Sequence, residues 1–353
     1  MKATLYCLAL AGSLAHAQAN SDVYIRHGLV SDLAAQAEVK DPNLVNPWGI
    51  ATLPDGPFWI NDNGTGVSTL YNTAGRPYPP GSPLVVTVPP PMNGMPPSAP
   101  TGIAANTTTS FQLPAGGPAL FIFATEDGTI SAWNLASGTN AILKVTTPLA
   151  VYKGIAIAHN GTGDFIYATN FHAGTVDVFD TNFAPAGSFT DPTVPAGFAP
   201  FGIANIGGSL FVTFALQDAD KHDDVAGPGN GFVDMFLPDG TLKQRLASNA
   251  VLNSPWGLVQ APSGFGAFSN ALLVGNFGDG TIQAFDISTG AFIGTLREPS
   301  RRPLVIQGLW GLIFGNGVLG GDIGTLYFTA GIPGPNGNIE DHGLFGSIRP
   351  QHP

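Results

Sequence analysis

The chain has 353 residues, with 24 acidic against 13 basic side chains, a formal net charge of -11 and charged residues at only 10%. Its 47 glycines and 31 prolines argue against long helices, whose interiors tolerate neither residue well, and suit short strands joined by tight turns. Binding a phosphate backbone needs a basic stripe, which the sequence lacks, so nucleic acid is excluded as a partner.

Residues 1–19 read as a signal peptide: Lys2 gives the positive start, Thr4 to Leu14 the apolar run, and Ala15-His16-Ala17 or Ala17-Gln18-Ala19 a small-x-small cleavage site. The run is too short to span a bilayer, and no later stretch reaches that length, so no membrane insertion is expected. Cys7, the only cysteine, lies inside the run. The expected mature chain is therefore secreted or periplasmic and free of thiols, and residues 20–353 are expected to form a single domain.

That domain is written around one recurring phrase. It reads Asn46-Pro47-Trp48-Gly49-Ile50, then Pro100-Thr101-Gly102-Ile103, Tyr152-Lys153-Gly154-Ile155, Pro200-Phe201-Gly202-Ile203, Ser254-Pro255-Trp256-Gly257-Leu258 and Leu309-Trp310-Gly311-Leu312. The glycines are 53, 52, 48, 55 and 54 residues apart, a period that marks a repeat architecture. Each glycine opens a short apolar strand. A second apolar run follows, such as Phe58 to Asn61 or Leu210 to Phe214, as doubly buried strands require. A third, alternating strand comes next, as in Gly174-Thr175-Val176-Asp177-Val178-Phe179, and then a weaker fourth, such as Leu84 to Val88. Four strands in each of six repeats predict an all-β, six-bladed β-propeller. The last repeat ends after its third strand, while Val23 to Ser31 has no blade, so this N-terminal segment is expected to close the ring as the outer strand of blade six.

Three stretches exceed the repeat: Thr73 to Pro100, Gln217 to Gly231 in blade four, and Gly331 to Gly343 in blade six. Long irregular loops in a compact domain tend to carry function. The last two lie between second and third strands, so they are expected on one face, together with the starts of the inner strands. The phrases Asn46-Pro47-Trp48-Gly49-Ile50, Gln217 to Gly231, Gly275-Asn276-Phe277-Gly278-Asp279-Gly280-Thr281 and His342-Gly343-Leu344-Phe345-Gly346 resemble an uncharacterised family of exported microbial proteins with NHL-like propeller repeats. The resemblance covers the mature chain and implies fold and export, but no established reaction. A broader similarity of architecture joins such propellers to calcium-dependent lactonases and streptogramin lyase, and function does not travel with architecture.

The expected functional face gathers several candidates. Aligning the blades sets Asn63, Glu126, Asn170 and Asn276 at one equivalent position, an oxygen-rich ring suited to calcium, with Asp127, His172 and Asp279 just beyond. Asp218, Asp220, Asp223 and Asp224 form a second candidate calcium site, beside the plainer reading of a solvated acidic loop. His222 and His342, each flanked by acids, are candidate proton carriers. Trp48, Phe201, Trp256, Trp310 and His172 are candidate ligand contacts, although the aromatic residues equally suit core wedges between blades. His159 is expected on the opposite side. No Gly-x-Ser-x-Gly elbow, phosphate loop or His-Glu-x-x-His motif occurs. Two function classes follow: a binding propeller whose face takes a small molecule, glycan or protein, and a calcium-dependent hydrolase or lyase using the same face.

Overall fold

A computed structural model describes residues 23–248 and 250–351; the expected signal peptide and its cleavage site lie outside these residues. Six sheets, antiparallel except for one added strand at the edge of the last, make up the fold. The inner strands begin at Pro47, Pro100, Tyr152, Phe198, Pro255 and Leu309, and each packs against the next around a ring that closes from blade six to blade one. The fold is a six-bladed β-propeller.

The recurring glycine has a physical cause. A Cβ on Gly49 would lie 2.5 Å from the carbonyl oxygen of Thr101 in the next blade. On Gly202, Gly257 and Gly311 it would lie 2.1, 2.5 and 2.6 Å from the carbonyl oxygens of Trp256, Trp310 and Trp48. Neighbouring inner strands thus approach backbone to backbone, which only glycine permits. The pairing of each inner strand with its second strand also slips at this phrase, as between Pro47 and Ile50 or Pro200 and Ile203. Such a bulge re-aims a side chain, and here Trp48, Phe201, Trp256 and Trp310, each the residue before a repeat glycine, come together in one central cluster. Hydroxyls from second strands brace the approach: Thr169 Oγ1 donates to the Phe201 carbonyl at 2.7 Å, and Thr329 Oγ1 to that of Trp48 at 2.5 Å.

The seam is as the sequence predicts. Val23–Ser31 pairs antiparallel with His342–Gln351, the third strand of blade six. One further strand, Val39–Lys40, extends this sheet by pairing parallel with the seam strand. Tyr24 fixes the seam to blade five: its ring packs 5.0 and 5.7 Å from Phe265 and Phe268, and its hydroxyl donates to the Phe265 carbonyl at 3.1 Å. Apolar clusters fill the wedges between blades, as where Trp59 of blade one stacks 4.2 Å from Phe121 of blade two.

Candidate functional site

The two mouths of the channel differ. The mouth opposite the insertions opens into a cavity of about 520 Å³, walled by repeat glycines and by Ile50, Ile103, Ile155, Leu258 and Leu312. His159 and Asp164 stand on its rim, 3.1 Å apart. Towards the insertions the channel is sealed. Trp48, Phe201, Trp256 and Trp310 are all buried, and with Phe171, Phe277, Ala199 and Ala215 they form one cluster. Trp310 stacks on Trp48 and Phe277 at centroid distances of 3.4 and 3.9 Å, while Trp256 meets both tryptophans edge-on at 5.8 and 5.7 Å. The aromatic candidates are thus a plug beneath the face, in keeping with the core-wedge reading.

One member of that tier breaks the pattern. The six positions before the repeat glycines hold Trp48, Thr101, Lys153, Phe201, Trp256 and Trp310. Lys153 is an ammonium where most neighbours are aromatic, and its side chain is 1% exposed. It rises past the rings of Trp48 and Phe171, with Nζ 5.1 and 5.8 Å from their centroids. Nζ then donates to Glu126 Oε1 and, at 3.2 Å, to Asp223 Oδ1 of the blade-four insertion. Burial works against this charge, but Glu126 and then Asp223 outweigh it and hold the Lys153 pKa above its ordinary value.

From this centre a polar chain crosses the face. Asn63 Nδ2 donates to Glu126 Oε2 at 2.9 Å, and Asn46 Nδ2 donates to Glu340 Oε1 at 3.1 Å and, more weakly, to Asn63 Oδ1 at 3.4 Å. The Trp310 indole N–H donates to Asn46 Oδ1 at 3.1 Å, tying the chain to the plug. On the other side His222 Nδ1 lies 2.9 Å from Asp223 Oδ1, and the His222 backbone N–H donates to Asp218 Oδ1. Residues of both insertions therefore meet one network, linking Glu340 of blade six to His222 of blade four.

Its electrostatics follow from these contacts. The hydrogen bond from His222 and the charge of Lys153 pull Asp223 down to about 2, and Asp223 in turn raises His222. Burial pushes Glu340 up to about 7, against the Asn46 hydrogen bond that favours its ionised form. Burial likewise pushes Asp224 up to about 6.

The four-residue Asn/Glu ring needs correction. Asn170 pairs with Tyr152 and Asn276 with Pro255, whereas the residues pairing with Pro47 and Pro100 are Asp62 and Thr125. Asn63 and Glu126 are thus one position beyond Asn170 and Asn276, and a one-residue slip turns a strand side chain to the other side. Asn170 points into blade three, donating to Asp177 at 2.9 Å, and Asn276 into blade five, donating to the Val251 carbonyl at 2.7 Å. Their places beside Asn63 and Glu126 are taken by Phe171 and Phe277, both in the plug.

The acidic insert does not converge on one point either. Asp218 accepts within its own turn, Asp220 is exposed, and Asp224 has a buried oxygen without a hydrogen-bond partner. Among the described residues, the acids and histidines that do come together are Glu126, His222 and Asp223, with one ligand atom from each within 4.8 Å of the others. His342 stands apart, its Nδ1 held 2.5 Å from Asp32 Oδ2 beside the seam strand. His172 is half-buried in the turn after Phe171. Lys153 is the residue that motif reading passes over, although its charge in a mostly aromatic register position was visible.

No protein-family model matches the chain. Among solved structures, a streptogramin B lyase superposes with a TM-score of 0.51 at 13% identity, covering 94% of this chain and 98% of that one. A catalytically inactive virginiamycin B lyase from Staphylococcus aureus with quinupristin superposes at 0.53, also at 13% identity, covering 93% and 99%. At such identities the likeness is one of fold. The uncharacterised protein R648 of Acanthamoeba polyphaga mimivirus is 34% identical over 336 residues, covering 91% of this chain and 78% of that protein. Uncharacterised protein L690 of the same virus is 33% identical over 300 residues, covering 80% and 77%. By its sequence, the chain belongs to the family of these uncharacterised mimivirus proteins.

Proposed function

We propose that the protein is an exported binding propeller whose insertion face takes a ligand bearing amine or guanidinium groups. The observation that supports this most is the sealed channel. With Trp48, Trp256, Trp310 and Phe277 closing the centre, a ligand rests on the face rather than entering it. What the face offers is mostly negative. Asp220, Asp223 and Asp341 are exposed around the rim, and Lys153, the central cation, is buried beneath them. Apolar rings below and carboxylates above suit a cationic ligand, because the aromatic floor keeps local screening low. The N-terminal signal pattern supports action outside the cytoplasm.

The test is a melting-temperature comparison across polyamines, arginine-containing peptides, amino-sugar oligomers and their neutral counterparts at matched ionic strength. Cationic compounds should raise the melting temperature. The rise should vanish when Asp220, Asp223 and Asp341 are all changed to Asn. A rise that survives this triple substitution, or a response only to neutral compounds, contradicts the reading.

A second reading is a hydrolase or lyase. It is supported by the His222–Asp223 pair, which sets an imidazole of raised pKa on an accessible face, as proton transfer requires. Calcium-dependent turnover of a cyclic ester, lost in His222→Ala, would favour this second reading over the first.

A further inference from the structure

Glu126, His222 and Asp223 supply the donors of a three-ligand metal centre, two carboxylates and an imidazole, all within 4.8 Å of one another. Yet the two carboxylates already share a cation. We propose that the Lys153 ammonium is the resident cation of this face, filling the position a divalent ion would take, and that it covers a latent metal site. The proposal goes beyond the binding reading and does not rest on it.

The geometry carries it in three ways. Nζ contacts Glu126 Oε1 and Asp223 Oδ1, so a divalent ion bridging those two oxygens takes the place of the ammonium. An ion placed beside it would meet a like charge a few ångströms away in a poorly screened setting, which is strongly unfavourable. Second, the ammonium comes from below on a long stem whose path is set by the rings of Trp48 and Phe171, and these also favour a cation electrostatically. The Trp256 indole N–H donates to the Lys153 carbonyl at 3.2 Å and steadies the base of that stem. Third, the lysine occupies a repeat position otherwise given to Trp, Phe or Thr. Four of the six, Trp48, Phe201, Trp256 and Trp310, meet in the plug, so a single lysine in this register puts one fixed positive charge beside those rings. The consequence is structural as well as chemical. Asp223 belongs to the blade-four insertion and Glu126 to blade two, so the ammonium of blade three fastens the insertion to the two preceding blades without any metal supply.

Removing the ammonium should expose a site of one imidazole and two carboxylates, a donor set suited to zinc rather than to calcium, which prefers oxygen alone. The experiment is thermal melting with zinc chloride, magnesium chloride and chelator, on the natural protein, Glu126→Gln, Lys153→Met and Lys153→Met/His222→Ala. His27–Glu38 and His159–Asp164 lie elsewhere on the surface, so the informative quantity is the difference between proteins. The proposal expects any zinc response of the natural protein to be unchanged by Glu126→Gln. It expects Lys153→Met to gain a saturable, zinc-specific rise in melting temperature that is lost on adding His222→Ala. A folded Lys153→Met without that gain overturns it. So does a zinc or magnesium response of the natural protein that Glu126→Gln abolishes, a result that holds whether or not Lys153→Met folds.

Discussion

The two mouths of the channel are built from the same six inner strands and share little chemistry. On one side, repeat glycines and branched aliphatic residues surround an open cavity of about 520 Å³. On the other, aromatic rings close the axis, and charged residues from blades two, three, four and six stand above them. The first mouth is the repeat speaking alone, since each blade contributes nearly the same residues. The second is where the repeat is broken: by Lys153 in the register position, by Glu126 and Asn63 in place of phenylalanine, and by two insertions. In a repeat protein, special chemistry gathers where equivalent positions stop being equivalent.

Both mouths depend on the closed ring, so the harshest way to break the comparison is to open it. Deleting residues 20–32 removes the seam strand and leaves the third strand of blade six as a bare edge. The expected cost is several kcal/mol, at about 25 cal/mol for each Å² of apolar surface no longer buried, read as a collapse of the melting transition. Unchanged melting would refute the closure.

Next in size is the contrast between plug and open wall. Trp310→Ala removes the ring stacked on both Trp48 and Phe277 and should cost about 3–5 kcal/mol in chemical denaturation. Ile50→Ala, on the half-exposed wall of the open mouth, should cost distinctly less. Equal losses would mean that the plug is no more tightly packed than the cavity wall. The backbone approach shared by both mouths gives a third test. Gly202→Ala puts a Cβ 2.1 Å from the Trp256 carbonyl oxygen and should destabilise by about 1–3 kcal/mol through forced backbone shifts. Gly264→Ala meets no atom within 4 Å and should be close to neutral.

A smaller effect separates the mouths by pH. Glu340 has a folded pKa pushed to about 7 against an ordinary value of 4.5. Between these values the folded state holds more protons than the unfolded one. Stability should therefore fall as pH rises from 4.5 to 7 and level off above that. The groups acting on Glu340 are Asn46, Glu126, Lys153 and Asp223. Asp224 and Asp234 are raised in the same direction, so Glu340→Gln should lessen this slope without abolishing it and gain on the order of 1–2 kcal/mol at pH 8 relative to the natural protein. An unaltered slope would place the titrating group elsewhere.

Much of this was legible from the residues because the fold rests on backbone geometry. The glycine phrase marks the inner strands, since no other residue fits where one strand meets the carbonyl of the next. The orphan segment Val23 to Ser31 finds its blade by counting strands. The site was harder to read, for a reason of register. An alignment made by residue type set Asn170 and Asn276 beside Asn63 and Glu126, but strand pairing puts them one position apart, so the side chains face different ways. Lys153 was hidden differently. It sits inside the phrase that defines the fold, where its neighbours serve as packing, and its partners Glu126 and Asp223 lie 27 and 70 residues away. No local spacing reveals such a cluster; only the packing of successive blades assembles it. His222 could be singled out beside its acids, but its link through Asp223 to a buried lysine could not.

The character of the insertion face depends on whether Lys153 joins the blade-four insertion to the ring. The most direct measurement is a double-mutant cycle between Lys153→Met and Asp223→Asn, read by chemical denaturation at neutral pH. If the ammonium holds the loop, each substitution removes the same interaction, and the cycle should show a coupling of about 1 kcal/mol or more. Strictly additive losses would show that the contact carries no energy, and the face would then lack the centre described above.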